Sequence, residues 1–326
     1  MHAIIPAAGV GTRLRPQTWS VPKPLLEVAG KPILAHIVDD LAASGIDHVT
    51  LIVGYLGDEV VSWTRRRYAD LRLDFVVQET VDGLASAVHL AAPHTGEGRT
   101  LVVLGDTLFT ADLRGVLAAP ANLLAVAEVD DPSRFGVVLM DGDRVAGLIE
   151  KPSEPISRLA IVGVYSFLSG TALMDAVGRL IASGRRTRGE FQLTDALQLM
   201  VSEGHPFGVF PVSGWFDCGR PETFLETNRA LLDRSGGEVL GDVSGSVVVP
   251  PVFVGAGASV TGSVIGPHAA IGAGARVERS LIRDSVIGSS ARISGASLEG
   301  SIVGNGASVT GGASTLSIGS SAEIRL

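Results

Sequence analysis

The segment Ala3-Ile-Ile-Pro-Ala-Ala-Gly-Val-Gly-Thr-Arg-Leu-Arg-Pro16, followed by Val21-Pro-Lys-Pro-Leu-Leu26, decides the fold. Its first residues, Ala3 to Pro6, form a short apolar run that predicts a buried strand. Gly9 and Gly11 then predict a sharp loop whose backbone amides can come close to a ligand, because glycine has no Cβ. A glycine loop that leaves a strand in this way has the outline of a phosphate site.

Two basic residues follow the loop at distances that suit a triphosphate. Arg13 stands directly after it and can donate two parallel hydrogen bonds to phosphate oxygens, and Lys23 lies between two prolines that stiffen its backbone. A glycine pair after a first strand is, by itself, as often only a tight turn. The spacing matches neither the P-loop lysine motif nor the dinucleotide fingerprint, which requires a third glycine at the start of a helix.

Together, A-A-G-x-G-T-R-L-x-P and P-K-P-L-L resemble the signature of the sugar-1-phosphate nucleotidyltransferases, also called nucleoside-diphosphate-sugar pyrophosphorylases. The resemblance implies an enzyme that joins a nucleoside triphosphate and a hexose 1-phosphate and releases pyrophosphate. It implies that Arg13 and Lys23 are catalytic. The nucleotide-binding residues that it implies in this segment are Ala8, Gly9, Gly11, Thr12 and Arg13.

The composition argues against several classes of protein. With 326 residues, of which 46% are hydrophobic, the chain can bury a substantial core. The net charge of −8 argues against a nucleic-acid backbone as partner, and the single cysteine, Cys218, rules out an intrachain disulfide. No apolar run approaches the ~18 residues that a membrane helix requires, and the N-terminus has no leader pattern. We therefore expect a cytoplasmic protein that binds no membrane.

Apolar spacing after the loop alternates between helix and strand. It predicts helices over residues 31–44 and 57–69 and buried strands over residues 49–53 and 73–77. This alternation is typical of a doubly wound α/β domain. With the resemblance, it predicts a Rossmann-like nucleotidyltransferase domain with a mixed, mostly parallel sheet.

Gln78 ends the last of these strands, and a helix is predicted to begin after a short gap, at Asp82-Gly-Leu. Ligands of open α/β sheets bind outside the carboxyl ends of the strands, so this turn should lie beside the glycine loop. The glutamine amide has a donor and an acceptor that suit the imide edge of uracil or thymine, and Gly83 would let a main-chain group approach the base. The pattern Q-x-x-x-x-G-L also resembles the base-reading turn of pyrimidine-selective family members.

Two aspartates far apart in the chain are candidates for a metal site. Leu101-Val-Val-Leu-Gly-Asp106 predicts a buried strand that ends in a carboxylate, and Gly214-Trp-Phe-Asp217 supplies another. Mg²⁺ prefers a few carboxylates together with phosphate oxygens and water. In the family, aspartates in these two contexts share one magnesium ion, so the resemblance implies that Asp106 and Asp217 are catalytic metal ligands and that Mg²⁺ is the cofactor.

The segment from Phe135 to Pro152 predicts a hairpin of two strands joined by a tight Asp-Gly-Asp turn. In the family, an F/Y-G-V strand and an E-K-P end line the sugar-phosphate pocket. The arginine-rich loop 185–190, which resembles another family segment, is expected to be solvated and mobile. The resemblance implies that the sugar phosphate is bound by Gly136, Glu150, Lys151 and Val162.

From about residue 235 the composition changes to Gly, Ser and Ala around isolated aliphatic residues. Val, Ile or Leu recurs mostly every five or six residues from Val254 to Ile324, which predicts a left-handed β-helix of hexapeptide type. We expect a catalytic domain at residues 1–234, a linker at 235–243 and the β-helix at 244–326. Solenoid coils expose flat faces that suit symmetric contacts, so we also expect a homo-oligomer formed through the β-helix.

The whole chain most resembles the long-form glucose-1-phosphate thymidylyltransferases, which favours dTTP and glucose 1-phosphate as substrates. Ala8 and Pro22-Lys-Pro24 differ from that branch, so a UTP-dependent or GTP/mannose-type enzyme stays open. A second alternative is a bifunctional enzyme with acyltransferase activity in the β-helix, where His268 is the candidate residue. A third is a non-catalytic regulatory paralogue, against which the presence of all the predicted catalytic residues argues.

Overall fold

The computed structural model describes residues 1–325, with the backbone alone for residues 313 and 314, so the last residue of the expected β-helix, at position 326, lies outside the described residues. The chain forms two compact units. The α/β unit consists of Met1–Gly9 and Ile37–Trp215. The β-helix unit consists of Val10–His36 and the described residues from Phe216 onward.

Nine strands form the main sheet of the α/β unit. In chain order they are β1 (His2–Pro6), β2 (His48–Val53), β3 (Arg72–Val77), β4 (Thr100–Val103), β5 (Asn122–Glu128), β6 (Gly136–Asp141), β7 (Arg144–Glu150), β8 (Leu159–Phe167) and β9 (Phe207–Pro211). The α-helices of the described chain are α1 (Ile33–Ala43), α2 (Gly57–Arg67), α3 (Leu84–His89), α4 (Leu113–Ala118), α5 (Gly170–Ser183), α6 (Leu193–Ser202) and α7 (Pro221–Ser235). Further short strands are Glu27–Val28, Lys31–Pro32, Thr107–Thr110 and Gly214–Asp217.

The sheet is mixed and mostly parallel in its first half, as the sequence predicts. Its strands lie in the order β7-β6-β8-β4-β1-β2-β3, and β5 pairs with both β8 and β9. Strand β1 is parallel to β2 and β4, and β2 is parallel to β3. Strand β8 runs antiparallel to β4, and the predicted hairpin forms β6 and β7. The predicted Rossmann-like fold is therefore confirmed.

One hydrophobic core joins this sheet to α3, α5 and α6. Ile4, Ile52 and Val102, on the three central parallel strands, are fully buried. Central parallel strands are covered on both faces, which explains why these strands are nearly continuous apolar runs in the sequence.

Three parallel sheets form the left-handed β-helix, which confirms the fold predicted from the repeat. The first consists of Gly237–Val239, Val252–Val254, Ala269–Ile271, Val286–Ile287, Ile302–Val303 and Ser317–Ile318. The second consists of Asp242–Ser244, Ser259–Thr261, Arg276–Glu278, Arg292–Ser294, Ser308–Thr310 and Glu323–Arg325. The third consists of Val247–Val248, Val264–Ile265, Leu281–Arg283, Ser297–Glu299 and Ala313–Ser314.

Aliphatic side chains stack in register along the inside of the coils. Val260 pairs with Val277, which pairs with Ile293, and each of the three is at most 1% exposed. The ladders begin at Gly237–Val239, which pairs with Val252–Val254 inside the stretch expected to be a linker. The β-helix therefore has more coils than the aliphatic spacing alone predicts.

Buried serines satisfy the backbone at the corners of the coils. Ser263 Oγ accepts a hydrogen bond from the backbone N–H of Ser280 at 3.0 Å, and Ser280 Oγ accepts one from Ala296 at 3.2 Å. Because a buried N–H without a partner is costly, these serines are structural.

Residues 10–36, which contain the part of the signature that follows Gly9, pack within the β-helix unit. The Gln17 side-chain amide donates to the carbonyl of Ile302 at 3.3 Å, and the hydroxyls of Ser20 and Ser320 lie 2.8 Å apart. Helix α7 joins the same packing, because Asn228 Oδ1 accepts a hydrogen bond from the backbone N–H of Ala29 at 3.0 Å.

Candidate active site

Predicted site residues fall in both compact units. The α/β unit holds Ala8, Gly9, Gln78, Gly83, Asp106, Gly136, Glu150, Lys151 and Val162. The β-helix unit holds Gly11, Thr12, Arg13, Lys23 and Asp217.

The carboxyl ends of adjacent parallel strands bring several of these residues to one edge of the sheet. Ala8 and Gly9 follow β1, Gln78 follows β3, and Asp106 lies shortly after β4. Strands β3, β2, β1 and β4 are neighbours in that order and run parallel, so their ends lie at the same edge. This edge is where ligands of open α/β sheets bind.

Two glycines let the loops at this edge pack closely. A Cβ at Gly54 would lie 2.9 Å from the Cβ of Ala8, and one at Gly105 would lie 2.8 Å from the carbonyl oxygen of Pro6. Ala8 is 7% exposed, so its methyl group occupies the space that Gly54 leaves. The alanine that departs from the thymidylyltransferase pattern is therefore accommodated by a neighbouring glycine.

The turn after β3 is closed by its own side chains and by the segment before α6. Gln78 Nε2 donates to the carbonyl of Thr80 at 3.1 Å. Gly83 has φ 111°, and a Cβ there would lie 2.3 Å from the carbonyl oxygen of Phe191. The close approach at Gly83 is thus to protein backbone, which is a reason for glycine that the sequence did not reveal.

The residues of the hairpin that are predicted to bind the sugar phosphate lie together. Gly136 pairs with Glu150 across β6 and β7, and Thr194 on α6 donates to Glu150 Oε2 at 2.7 Å. Lys151 Nζ lies 3.2 Å from Glu150 Oε1. A Cβ at Gly136 would lie 2.6 Å from Thr194 Oγ1, so only glycine lets the threonine reach the carboxylate. Thr194 is a candidate residue that sequence reasoning missed, although it lies only four residues after the arginine-rich loop 185–190.

Backbone strain marks the lysine of this cluster. Lys151 has φ 45° and Arg188 has φ 54°, a left-handed conformation that costs energy in residues other than glycine. Arg188 donates to the carbonyl oxygen of Lys151 at 2.8 Å, so the two strained residues hold each other.

Arg186 is exposed, as expected of the arginine loop, and it has defined partners. Its guanidinium forms a bidentate pair with Asp82, with one contact at 2.8 Å, and lies 4.1 Å from the ring centroid of Phe191. The hydrogen bond from Arg186 lowers the pKa of Asp82 below its ordinary value. Arg186 therefore ties the arginine loop to the turn at Gly83.

Tyr165 and Val162 lie on β8, the strand next to the hairpin that carries Glu150. Burial of Tyr165, with the nearby Glu150 charge as a smaller cause, raises the pKa of its phenol. Val162 is 2% exposed, and the backbone carbonyl of the adjacent Gly163 accepts a hydrogen bond from Leu104 at 3.0 Å. The strand that carries Val162 therefore lies beside the loop of Asp106.

In the β-helix unit, the second half of the glycine loop contacts the lysine of the signature. Gly11 has φ 67°, and a Cβ there would lie 2.9 Å from Thr18 Cγ2 and 3.2 Å from the Cβ of Lys23. Thr18 Oγ1 donates to the carbonyl of Gly11 at 2.8 Å. Arg13 is exposed on the turn Thr12–Leu14. In the chain, Arg13 and Lys23 lie on either side of Thr18, whose hydrogen bond fixes the backbone at Gly11.

The two aspartates expected to bind Mg²⁺ are both half-buried. Asp106 lies in the α/β unit and Asp217 in the β-helix unit, at the end of the strand Gly214–Asp217. Among the residues that the structure describes, no group of three or more His, Cys, Asp or Glu side chains could hold a metal ion. The carboxylate chemistry of Asp106 and Asp217 fits Mg²⁺, which keeps water and substrate oxygens as its other ligands.

Carboxylates engage both ring nitrogens of His268, the candidate for acyl transfer. Its Nε2 lies 2.7 Å from Asp233 Oδ1, and its Nδ1 lies 3.3 Å from Asp284 Oδ1. Arg229 donates to the same Asp284 oxygen at 2.8 Å. These contacts join α7 to the coils. They favour a structural role for His268 over that of a general base.

The comparisons with known proteins agree on the class. The sequence model of the nucleotidyl transferase family matches residues 2–234. A glucose-1-phosphate thymidylyltransferase of Streptomyces antibioticus is 36% identical over 274 residues, which cover 80% of this chain and 74% of that protein. The UTP–glucose-1-phosphate uridylyltransferase AglF of Haloferax volcanii is 33% identical over 244 residues, which cover 72% of this chain and 98% of that protein.

A solved structure gives the same result. It is that of a proposed glucose-1-phosphate thymidylyltransferase from Bacillus anthracis in complex with sucrose, with a TM-score of 0.62 and 29% identity, covering 71% of this chain and 95% of that one. The chain belongs to the nucleotidyl transferase family, which confirms the resemblance seen in the signature. The relatives named above are sugar-1-phosphate nucleotidyltransferases whose names differ in the nucleotide.

None of the helices within residues 1–325 has the length and apolar character needed to cross a bilayer.

Proposed function

We propose that this nucleotidyl transferase joins a nucleoside triphosphate to a hexose 1-phosphate, giving a nucleoside-diphosphate sugar and pyrophosphate. The observation that carries the proposal is the cluster of Gly136, Glu150, Lys151 and Thr194, where a carboxylate and an ammonium group lie 3.2 Å apart. The carboxylate can accept hydrogen bonds from sugar hydroxyls, and the ammonium group can bind the phosphate of the same molecule.

The chemistry needs no general base, because a sugar phosphate oxygen is already an anion at neutral pH. In the proposed reaction this oxygen attacks the α-phosphorus in line, and Lys151 positions the attacking phosphate. Arg13 and the amides around Gly9 and Gly11 hold the triphosphate, and Lys23 offsets the charge that develops on the leaving pyrophosphate.

Asp106 and Asp217 would hold Mg²⁺, which when bound neutralises phosphate charge. The assignment of both aspartates as metal ligands belongs to the proposal and is supported by their half-burial and by their family contexts.

We propose dTTP as the preferred nucleotide, UTP as the next, and glucose 1-phosphate as the sugar. Gln78 can pair with the imide edge that thymine and uracil share, whereas cytosine presents the opposite order of donor and acceptor. To do so, its amide must exchange the 3.1 Å hydrogen bond to Thr80 for the base. The order of dTTP over UTP follows the name of the Streptomyces antibioticus relative, and the Haloferax volcanii relative supports UTP as the alternative.

The test is a matrix of dTTP, UTP, GTP and ATP against glucose, galactose and mannose 1-phosphates, measured by pyrophosphate release. We expect turnover with pyrimidine triphosphates and glucose 1-phosphate. GTP or ATP as the best substrate would refute the pyrimidine assignment, and no turnover with any pair would refute the reaction itself.

The catalytic domain at residues 1–234 and the homo-oligomer formed through the β-helix are also proposed. Val264 pairs with Val247 and with Leu281 on the third sheet, and all three are among the exposed large hydrophobic residues. Such a stripe is suited to a symmetric contact. Light scattering of wild type and Val264→Asp tests this, because an unchanged mass would refute a contact at the stripe.

A further inference from the structure

A cleft within the β-helix unit separates the signature segment from the coils. Its lining includes Leu14, Val21 and Glu27 of the segment and Ile287 and Ile302 of the coils. The cleft encloses about 70 Å³, within about 600 Å³ of empty space that includes the solvent at its mouth. Small-molecule sites have this character, an apolar lining with a few polar groups.

One polar group of the lining is a buried acceptor. Gln17 is 4% exposed, and its Nε2 donates to Ile302 at 3.3 Å and to Ser317 at 3.1 Å. Its Oε1 is buried and has no hydrogen-bond partner within residues 1–325. A buried acceptor without a donor costs free energy, so this oxygen favours a ligand that donates.

The second polar group is a carboxylate with weak local compensation. Glu27 Oε2 accepts a hydrogen bond from Ser289 Oγ at 3.4 Å, and no ion pair to Glu27 occurs in the described chain. Burial raises the pKa of Glu27, and the hydrogen bond from Ser289 opposes this to a smaller extent. A cation beside Glu27 would restore the charged form.

We propose that this cleft binds a small primary amine, whose ammonium group donates to Gln17 Oε1 and to the Glu27 carboxylate while its alkyl chain packs on Leu14, Ile287 and Ile302. An ammonium group has three donors and no acceptor, which suits the acceptors of Gln17 and Glu27, two residues that line this cleft. An anionic ligand would be repelled by Glu27, and an alcohol has one donor and no charge. The site goes beyond the proposed transferase function, because its lining contains none of the residues assigned to the substrates.

The site has a structural consequence for the signature segment. Leu14 and Leu25 of the lining are one and two residues away from Arg13 and Lys23. An amine that bridges the segment and the coils stabilises this arrangement by mass action, so it raises the temperature of unfolding.

The test titrates the full chain with propylamine and isobutylamine, followed by ligand-observed NMR and by thermal unfolding. Propanol and propionate serve as the uncharged and anionic controls. We expect both amines to bind and to raise the unfolding temperature, with an affinity at least about tenfold higher than that of either control. Equal binding of amines and controls, or no binding of any amine, would overturn the proposal.

Variants locate the site. Glu27→Gln and Gln17→Leu should each weaken amine binding about tenfold, and Glu238→Gln, an exposed residue of the same unit, should leave it unchanged. If Gln17→Leu does not fold, Val21→Phe, which fills the cleft from the segment, should abolish amine binding. Unchanged amine affinity in folded Glu27→Gln would rule this site out, whatever the outcome of the transferase assay.

Discussion

The two units bury different kinds of side chain. The core of the α/β unit combines aliphatic residues with Tyr165, Phe167, Phe191 and Phe207, whereas the described core of the β-helix contains only Val, Ile, Leu and Ala. Equivalent positions of successive coils take side chains of similar size, because the coils stack at a constant spacing. Helices on a sheet leave unequal gaps, which rings of different size fill. A repeat core can therefore be predicted from spacing, and an α/β core cannot.

The units also differ in their buried polar groups. In the coils of the β-helix these are serines that accept hydrogen bonds from backbone N–H groups and do not titrate near neutral pH. In the α/β unit, His2 is 7% exposed and stacks on His48 with ring centroids 4.1 Å apart. Acid should therefore affect the α/β unit first.

The largest expected effect tests the proposed metal ligands, Asp106 of the α/β unit and Asp217 of the β-helix unit. Asp106→Asn and Asp217→Asn should each lower kcat by about 10²–10³, because each removes a carboxylate that would hold the metal. The control is Asp112→Asn, since Asp112 caps α4 through the N–H of Gly115. Steady-state pyrophosphate release with magnesium measures the change. A near-normal kcat in either variant would refute the assignment of that aspartate as a metal ligand.

The next largest effect is a loss of stability in acid, which tests whether the two units differ in their buried titratable groups. Burial, with His48 as the next cause, lowers the pKa of His2 from 6.5 to about 4, and Asp74, Arg72 and His94 also face it. Its neutral form is the native one, so its contribution to stability is complete above pH 6.5 and is lost as the pH falls towards 4. From pH 7 to pH 5 the loss should be about 2 kcal/mol.

Urea unfolding at pH 7 and pH 5 measures this loss. His2→Gln should remove most of the difference between the two pH values, and exposed His205→Gln should not. Hydrogen exchange should show the acid opening in β1 and β2 before the coils. If hydrogen exchange at pH 5 rose first in the coils, the expectation that acid destabilises the α/β unit before the β-helix would be wrong.

A smaller effect tests the cluster at Glu150. Thr194→Val removes the 2.7 Å hydrogen bond that orients the carboxylate, at a cost of about 1–1.5 kcal/mol. The KM for the sugar phosphate should rise about tenfold, with kcat little changed. Exposed Thr310→Val in the β-helix is the matched control. A fall in kcat without a change in KM would mean that Thr194 does not act through sugar binding.

The smallest effect tests the stacked core of the coils. Ile293→Val removes one buried methylene and should lower the free energy of unfolding by about 1 kcal/mol. Val264→Ala, on the exposed stripe, should change it less, since Val264 is 37% exposed. The urea midpoints of the two variants, each compared with wild type, measure the two losses of stability. Equal losses would show that Val264 is covered in solution.

The sequence by itself determined the local elements. The apolar run before Gly9, the alternation from Ile33 to Val77 and the hairpin ending at Glu150 each follow from residues a few positions apart. The repeat of the β-helix also follows from residues a few positions apart. These local patterns can be predicted because backbone geometry fixes the periods of strands and helices. Parallel strands then place Gln78 and Asp106 at one sheet edge, and the sequence could predict that too.

Only the tertiary structure decided which distant residues meet. Thr194 reaches Glu150 because Gly136 leaves room for it, and Arg186 reaches Asp82 across more than a hundred residues. Residues 10–36, which include Gly11, pack in the β-helix unit, where the Gln17 amide donates to the carbonyl of Ile302. The local spacing of residues does not predict such pairs. A polar side chain has several possible hydrogen-bond partners, and the folded chain determines which of them lies within reach.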